Sequence, residues 1–470
     1  MELHINGNQF IGQIGEFKSN SLKHLDVSFN KLQGSIPRSL FNLPNLSTLD
    51  LDNNHLVGPL PDHVSGLNLI ILSVGSNFLN GTLPSWLFSL PSLVELHINV
   101  NQFIGEIGEF KSNSLNYLDV GYNKLQGSIP RSLFNLPNLS TLYLDNNQLV
   151  GPLPNHLSDL NLINLSVGSN FLNGTLPSWL FNLPSLVMLD ISSNQFIGEI
   201  GEFKSNLLEH FDLGYNKLEG SIPRSISRFV NLTYLSLSSN NWSIMLELEM
   251  FSELKNLEFL DFSNNLVSIN NNVTYTLPKL QRLNLSSTNI SEFPFFLRTA
   301  TNLQYLDLSK NRINGQFPTW LGDVGRDSLQ FLDLHANLLQ GSFPTLSFTS
   351  LRYLFASNNK FTGDIPSLIC NASTLDVLDL SHNNLSGIIP KCLAHSKSLT
   401  VLDLRMNSLH STIPATFSTG NRFRNINLNG NQLEGPLPRS LASCRNLEVL
   451  DLGSNKINGT FPYWLEGLSN

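Results

Sequence analysis

Aspartate recurs along the chain at Asp26, Asp50, Asp119, Asp190, Asp212, Asp307, Asp333, Asp379, Asp403 and Asp451, each directly after a leucine or a phenylalanine. Stacked carboxylates supply the hard oxygen donors that Ca²⁺ takes. The spacing contains no dedicated cation loop, however, so these residues read as a solvated column on a repeated strand face, and neither a metal nor a cofactor is expected. The 11 histidines include no His-x-x-x-His pair beside cysteines, and no nucleophile–base arrangement or phosphate-cradling glycine loop appears. The chain therefore reads as a binding protein and not as an enzyme. Its three cysteines are too few for a disulfide framework. Cys370, Cys392 and Cys444 fall 11, 9 and 13 residues after a recurring asparagine, so they would not stack in one column. Buried free thiols are the expectation, with Cys370–Cys392 the one pairing left open.

Composition bounds the partners. The 470 residues are 41% hydrophobic and 14% charged, with a net charge of −8. That is ample for a large core and unsuited to a general nucleic-acid or anionic-membrane surface. No apolar run approaches the ~18 residues of a membrane helix. Met1-Glu2-Leu3-His4-Ile5 has neither a basic flank nor an apolar stretch, so no signal peptide is expected.

The elements that position these residues follow from an internal period. The frame Leu49-Asp50-Leu51-Asp52-Asn53-Asn54-His55-Leu56-Val57-Gly58-Pro59-Leu60-Pro61 returns at 118–130, 306–318, 378–390 and 450–462. Its asparagine recurs from Asn8 and Asn30 through Asn431 and Asn455, with Thr288 in its place once, giving about 20 units 22 to 26 residues apart. In each, a Leu-x-Leu pair alternates with period two, leucines inward from a short strand and the middle residue outward. Asn carries two donors and an acceptor, and so can satisfy the backbone of a buried turn. Gly-x-(Ile/Leu/Phe)-Pro then bends the chain, and stretches such as Arg131–Leu139 read as a short helical turn with Leu133, Leu136 and Leu139 inward. Units of this length cannot bury their apolar face alone, so they must stack. The expected fold is an α/β solenoid, a right-handed superhelix of about 20 units with a parallel concave sheet.

A longer period lies on top. Residues 1–93 and 94–186 differ at 14 positions, and a third partial copy begins at Val187. Between about Asn240 and Ala300 the Gly-x-Ile-Pro element is missing, and Met245–Leu260 reads as helical, with Leu246, Met250, Leu254 and Leu257 near helix spacing. The expected organisation is regular repeats over 1–239, irregular repeats over 240–300 and regular repeats over 301–470.

The frame L-x-x-L-x-x-L-x-L-x-x-N-x-L-x-G-x-I-P resembles the plant-type leucine-rich repeat of cell-surface receptors, over nearly the whole chain. Ser286–Arg298, Leu399–Asn407 and Leu447–Pro462 resemble receptor-like proteins of the disease-resistance type more narrowly. The resemblance implies an ectodomain on the extracellular side of the plasma membrane, a single membrane helix and short tail outside this chain, perception of pathogen or peptide signals, and signalling through a partner receptor kinase. The family pattern also includes a signal peptide, capping segments and a membrane helix; because Met1 aligns with Val94 inside a repeat, the chain is expected to be a fragment of a longer protein.

The tandem copies point to where function lies. Of 16 exposed strand-face positions in residues 1–93, 6 differ from their partners (Gly7/Val100, His24/Tyr117, Ser28/Gly121, Phe29/Tyr122, Asp50/Tyr143, Ile71/Asn164), against 8 of the other 77. Several replacements are aromatic, the residue type that anchors interfaces. The expected ligand face therefore comprises Tyr117, Tyr122, Tyr143 and Asp145, with a second patch of Tyr305, Phe331, His335, Tyr353 and Phe355, binding a peptide or protein elicitor. The alternatives are a soluble inhibitor of secreted hydrolases and the ectodomain of a receptor kinase. Candidate N-glycosylation sites are Asn45, Asn80, Asn138, Asn173, Asn231, Asn241, Asn272, Asn289, Asn371, Asn384 and Asn458; Asn164 and Asn284 also carry the motif but sit on strands.

Overall fold

A computed structural model of the chain describes residues 1–64, 66–155, 160–246, 248–269, 271, 276–344 and 349–468. The chain forms two compact units, Met1–Trp242 and Ser243–Asn470.

Each turn of the solenoid begins with a three-residue strand. Among the described residues of the first unit eleven such strands, from Glu2–His4 to Tyr234–Ser236, stack in parallel. Register is one leucine per coil: Leu118 lies opposite Leu96 on one side and Leu142 on the other. These leucines are fully buried, and burying one such side chain contributes roughly 1.5–3 kcal/mol. The strand ends in a bend where the residue before the anchor takes a positive φ, as at Val100 (53°), Tyr122 (53°) and Asn146 (53°). The buried anchor then ties one coil to the next. The Nδ2 of Asn147 donates to the carbonyls of Val120 (3.0 Å), Leu144 (3.2 Å) and Asp145 (3.2 Å), and its Oδ1 accepts from Leu125 N–H at 2.9 Å. Thr288, the exception in the column, keeps one of these bonds with its own hydroxyl, to Leu285 O at 2.7 Å, and hands its N–H to Asn311 Oδ1 at 2.9 Å.

After the anchor the chain forms a second parallel sheet, ten strands from Ile11–Gln13 to Lys217–Leu218 in the first unit. Sequence reading treated this stretch only as a bend. Its glycine takes a positive φ in coil after coil, 78° at Gly127 and 86° at Gly151, a conformation that strains residues bearing a Cβ. The coil closes through a single 3₁₀ turn such as Arg131–Asn135, which buries Leu133 and Phe134. Proline precedes the turn, where its missing N–H costs nothing.

The second unit repeats this plan, with nine face strands among its described residues, from Phe259–Asp261 to Val449–Asp451. Its second sheet is divided into Ser243–Leu246 with Leu266–Ile269, a four-stranded piece from Asn314–Gln316 to Asn384–Leu385, and a three-stranded piece from His410–Ser411 to Lys456–Ile457. The helical expectation for Met245–Leu260 is overturned. Ser243–Leu246 is a strand paired in parallel with Leu266–Ile269, and Leu248–Phe251 is a 3₁₀ turn. Stacking on the neighbouring coil overrides a local apolar period of helical length.

The cysteine expectation is also corrected. Cys370 and Cys392 form a disulfide, with Cα atoms 6.1 Å apart, and only Cys444 is free and buried. Cys370 closes the 3₁₀ turn Ser367–Asn371, whereas Cys392 opens the α-helical turn Lys391–Ala394. The two adjacent turns differ in type, so unequal offsets from the anchors still bring the sulfurs together. Burial pushes the Cys444 thiol up to about 11.

Candidate ligand-binding face

The outward residues of the face strands come together as the registers require. In the first unit Tyr117 and Tyr143 begin and end adjacent strands, Tyr117–Asp119 and Thr141–Tyr143. Their rings meet edge to face at 5.9 Å, and His97 stacks on Tyr117 at 4.4 Å. The Tyr143 hydroxyl reaches Met188 Sδ at 3.9 Å. Half-burial and the carboxylate of Asp119 hold the Tyr117 phenol up at about 12, and burial likewise raises Tyr143, so both present neutral rings. Asp145 is half-buried, accepts from Asn146 Nδ2 at 3.1 Å, and is raised by that burial. Tyr122 differs: its positive φ turns it out at the bend, 56% exposed.

In the second unit Tyr305 lies flat on Phe331, 4.3 Å between centroids and 9° between planes. Phe331 also touches Tyr353 (6.2 Å) and Phe355 (5.7 Å). The Arg282 guanidinium caps the stack, 4.8 Å above Tyr305 and 5.8 Å from Phe259, and Arg352 sits 5.5 Å over Tyr353. Such cation–π contacts fix rings in place. His335 is held by Asp333, Nδ1 to Oδ1 2.7 Å, and this bond raises its pKa.

Sequence reasoning missed four participants. His97 matches His4, so comparing copies was silent on it; Phe259, Arg282 and Arg352 lie outside the duplication. The signal existed: His97 occupies the column between the two core residues, and Phe259 and Arg282 the column before the first. In the same columns His210 stacks on Tyr234 at 4.2 Å.

The aspartate column is not simply solvated. Asp119 accepts the N–H of Gly121 at 3.0 Å, Asp212 that of Gly214 at 2.8 Å, Asp307 that of Ser309 at 2.9 Å and Asp379 that of Ser381 at 2.9 Å. Each carboxylate closes the bend two residues on, a local bond of the kind Asp favours. Asp50, Asp119 and Asp212 are raised to about 6, chiefly by burial. Among the described residues no group of three or more His, Cys, Asp or Glu could hold a metal ion, and no helix is long and apolar enough to cross a membrane.

The sequons divide by element. Asn45, Asn138, Asn231, Asn241, Asn289, Asn371 and Asn458 are exposed, as are Asn80, Asn173 and Asn384 on the second sheet. Asn164 and Asn284 are half-buried on the strand face, bonded to Thr141 Oγ1 and Asp261 Oδ2. Asn272 lies outside the described residues.

A leucine rich repeat family model matches residues 1–56, 108–149, 349–409 and 373–433, and a second of the same description matches 207–229, 302–324 and 446–468. Among solved structures, that of PEPR1–AtPEP1 superposes with a TM-score of 0.81 at 31% identity, over 99% of this chain and 67% of that one. The Arabidopsis receptor kinase HAESA, in complex with the peptide hormone IDA and the co-receptor SERK1, gives 0.70 at 27% identity, over 99% and 80%. With stacked parallel strands and this degree of likeness, the chain belongs to the leucine-rich-repeat family and is of the plant receptor-like type. Receptor like protein 28 of Arabidopsis thaliana is 37% identical over 195 residues, 36% of this chain and 25% of that protein. The match thus spans about a quarter of the curated relative's length.

Proposed function

We propose that this chain is the ligand-binding part of a plant cell-surface receptor, and that it perceives a peptide or protein signal on the outside of the plasma membrane by binding, without catalysis. The observation that carries the reading is the preformed aromatic stack of Tyr305 and Phe331 under Arg282. Rings already locked against one another lose little freedom when a partner arrives. Tyr117 and Tyr143, with His97, form a second such surface in the first unit. Likeness to receptors solved with peptides, one together with a co-receptor, supports a peptide ligand and a partner receptor kinase. Relatedness to receptor-like proteins supports a receptor role, which we read as immune or other signalling.

The test uses peptides selected on the intact chain from a displayed random-peptide library. Replacing Tyr305 and Phe331 with Ala, or Tyr117, Tyr122 and Tyr143 with Ala, should weaken the selected peptides by about 30-fold or more, the ~2 kcal/mol that marks a hot spot. Circular dichroism should be unchanged. Affinity unaltered in both variants would end the assignment.

A further inference from the structure

Exposed aromatics on the second sheet have no role in the ligand face. In the first unit Phe78 and Phe171 are 50% and 53% exposed, and their partners in register, Val57 and Val150, are 43% and 44% exposed. Each phenylalanine opens a strand, Phe78–Thr82 or Phe171–Thr175, reading Phe-Leu-Asn-Gly-Thr. Residues two apart on a strand project from the same face, about 6.6 Å apart. Asn80 and its ring Phe78, and Asn173 and its ring Phe171, are therefore neighbours on one outward surface, and both asparagines and both threonines are exposed.

We propose that Asn80 and Asn173 are N-glycosylated, and that the first sugar of each glycan lies on the phenylalanine two residues before it, covering the apolar pair beside it. The C–H face of a pyranose is apolar and weakly positive, and it suits the negative face of an aromatic ring. The donor is a polyprenyl-diphosphate-linked oligosaccharide. Asn80 Nδ2 forms a bond to the sugar C1, the C1–O bond to the diphosphate breaks with its electron pair leaving on the lipid diphosphate, and Nδ2 gives up one proton. The other exposed sequons lack this pairing. Asn458 is the closest comparison, also Asn-Gly-Thr, but Lys456 stands where the ring would be. Asn45 and Asn138 spend their amides on the carbonyls of Asn20 and Asn113.

The proposal rests on the extracellular reading only for access to the transferase, so the test supplies that access: the full chain is routed through a plant secretory pathway behind a cleavable leader. Glycopeptide mass spectrometry should find Asn80 and Asn173 occupied more fully than Asn458. Phe78→Ser and Phe171→Ser should lower that occupancy, and should abolish the drop in Tm that enzymatic release of the glycans causes in the parent chain. Thr82→Ala and Thr175→Ala, which keep the rings but remove these two sequons, should be secreted bare at 80 and 173 and with the lower Tm. Bare asparagines at 80 and 173 in the secreted parent would overturn the proposal, as would full occupancy and an unchanged Tm drop in the Phe→Ser variants. A chain that carries both glycans yet binds no selected peptide counts against the ligand reading alone; bare asparagines on a chain that binds peptides count against this inference alone.

Discussion

The two 93-residue copies share one frame and present different chemistry. Beneath the surface they are alike: Asn54 and Asn147 each make three donor bonds and one acceptor bond, and Phe41–Trp86 and Phe134–Trp179 pack with centroids 5.6 Å apart in both cases. On the strand face they part. Both keep a His–Glu pair, His4 3.8 Å from Glu2 and His97 3.4 Å from Glu95, and the first copy adds ionisable groups beside it, His24 3.7 Å from Glu2 and Asp50 two coils on. At the equivalent places the second copy stacks His97, Tyr117 and Tyr143. Buried columns must fit the coils above and below, whereas a face residue contributes to the next coil mainly through its backbone. A solenoid can therefore change what it binds without changing how it folds.

The largest effects should fall on the shared frame and be equal in both copies. Asn54→Ala and Asn147→Ala each strand several buried backbone groups, and each unmet group costs about 1–3 kcal/mol. Both variants should lose on the order of 3 kcal/mol or more in urea titrations. A marked inequality between them would show that the copies are not mechanically equivalent. Exchanging the faces should affect binding instead. Tyr117→His with Tyr143→Asp gives the second copy the first copy's residues, and should weaken peptides selected on the Tyr cluster by about tenfold to a hundredfold. Far-UV circular dichroism should hardly change. Binding that survives the exchange would put recognition elsewhere.

How far the sequence reveals this protein depends on how far each signal repeats. The buried leucines and the Asn column recur about twenty times, so fold, unit length and strand register could be read directly, and so could the columns facing outward. The second sheet was hidden because strands such as Gln148–Pro152 are short and end in Gly and Pro, which read as a turn. The disulfide was obscured because Cys370 and Cys392 occupy turns of different type. Of the proposed ligand face, Tyr117, Tyr143, Tyr305 and Phe331 were legible as outward aromatics, but their partners were not. Whether Arg282 lies over Tyr305 depends on side-chain directions across coils, which a column count does not contain. The aspartates' bonds to the bend two residues on were local and could have been anticipated from Asp chemistry.

Smaller effects sharpen the comparison at single positions. Gly7 and Val100 occupy the same left-handed bend, at φ 66° and 53°. A left-handed conformation costs a non-glycine residue roughly 1–2 kcal/mol, and a branched Cβ is a poor occupant. Val100→Gly regains that strain and loses some to the greater freedom of glycine in the unfolded chain, leaving a gain of about 0.5–1 kcal/mol. A urea midpoint that falls would mean that Val100, 44% exposed, is held by contacts its strain conceals.

The smallest effect is a pH dependence that the first copy carries at Asp50 and the second lacks at Tyr143. Burial raises the folded-state pKa of Asp50 from 3.8 to about 6, so near pH 5 the folded chain holds a proton there that the unfolded chain has lost. Stability then rises as pH falls through 6 and is fully gained below 3.8, the reverse of a salt-bridged carboxylate. The phenol at Tyr143 is raised from 10.0 and stays neutral throughout this range. Asp50→Tyr should therefore reduce the gain in Tm between pH 7.5 and pH 5, with Asp119 and Asp212, also raised to about 6, supplying what remains. If the variant gains as much on acidification as the parent, Asp50 is solvated well enough to titrate alike in both states, and its burial against the neighbouring coils counts for little.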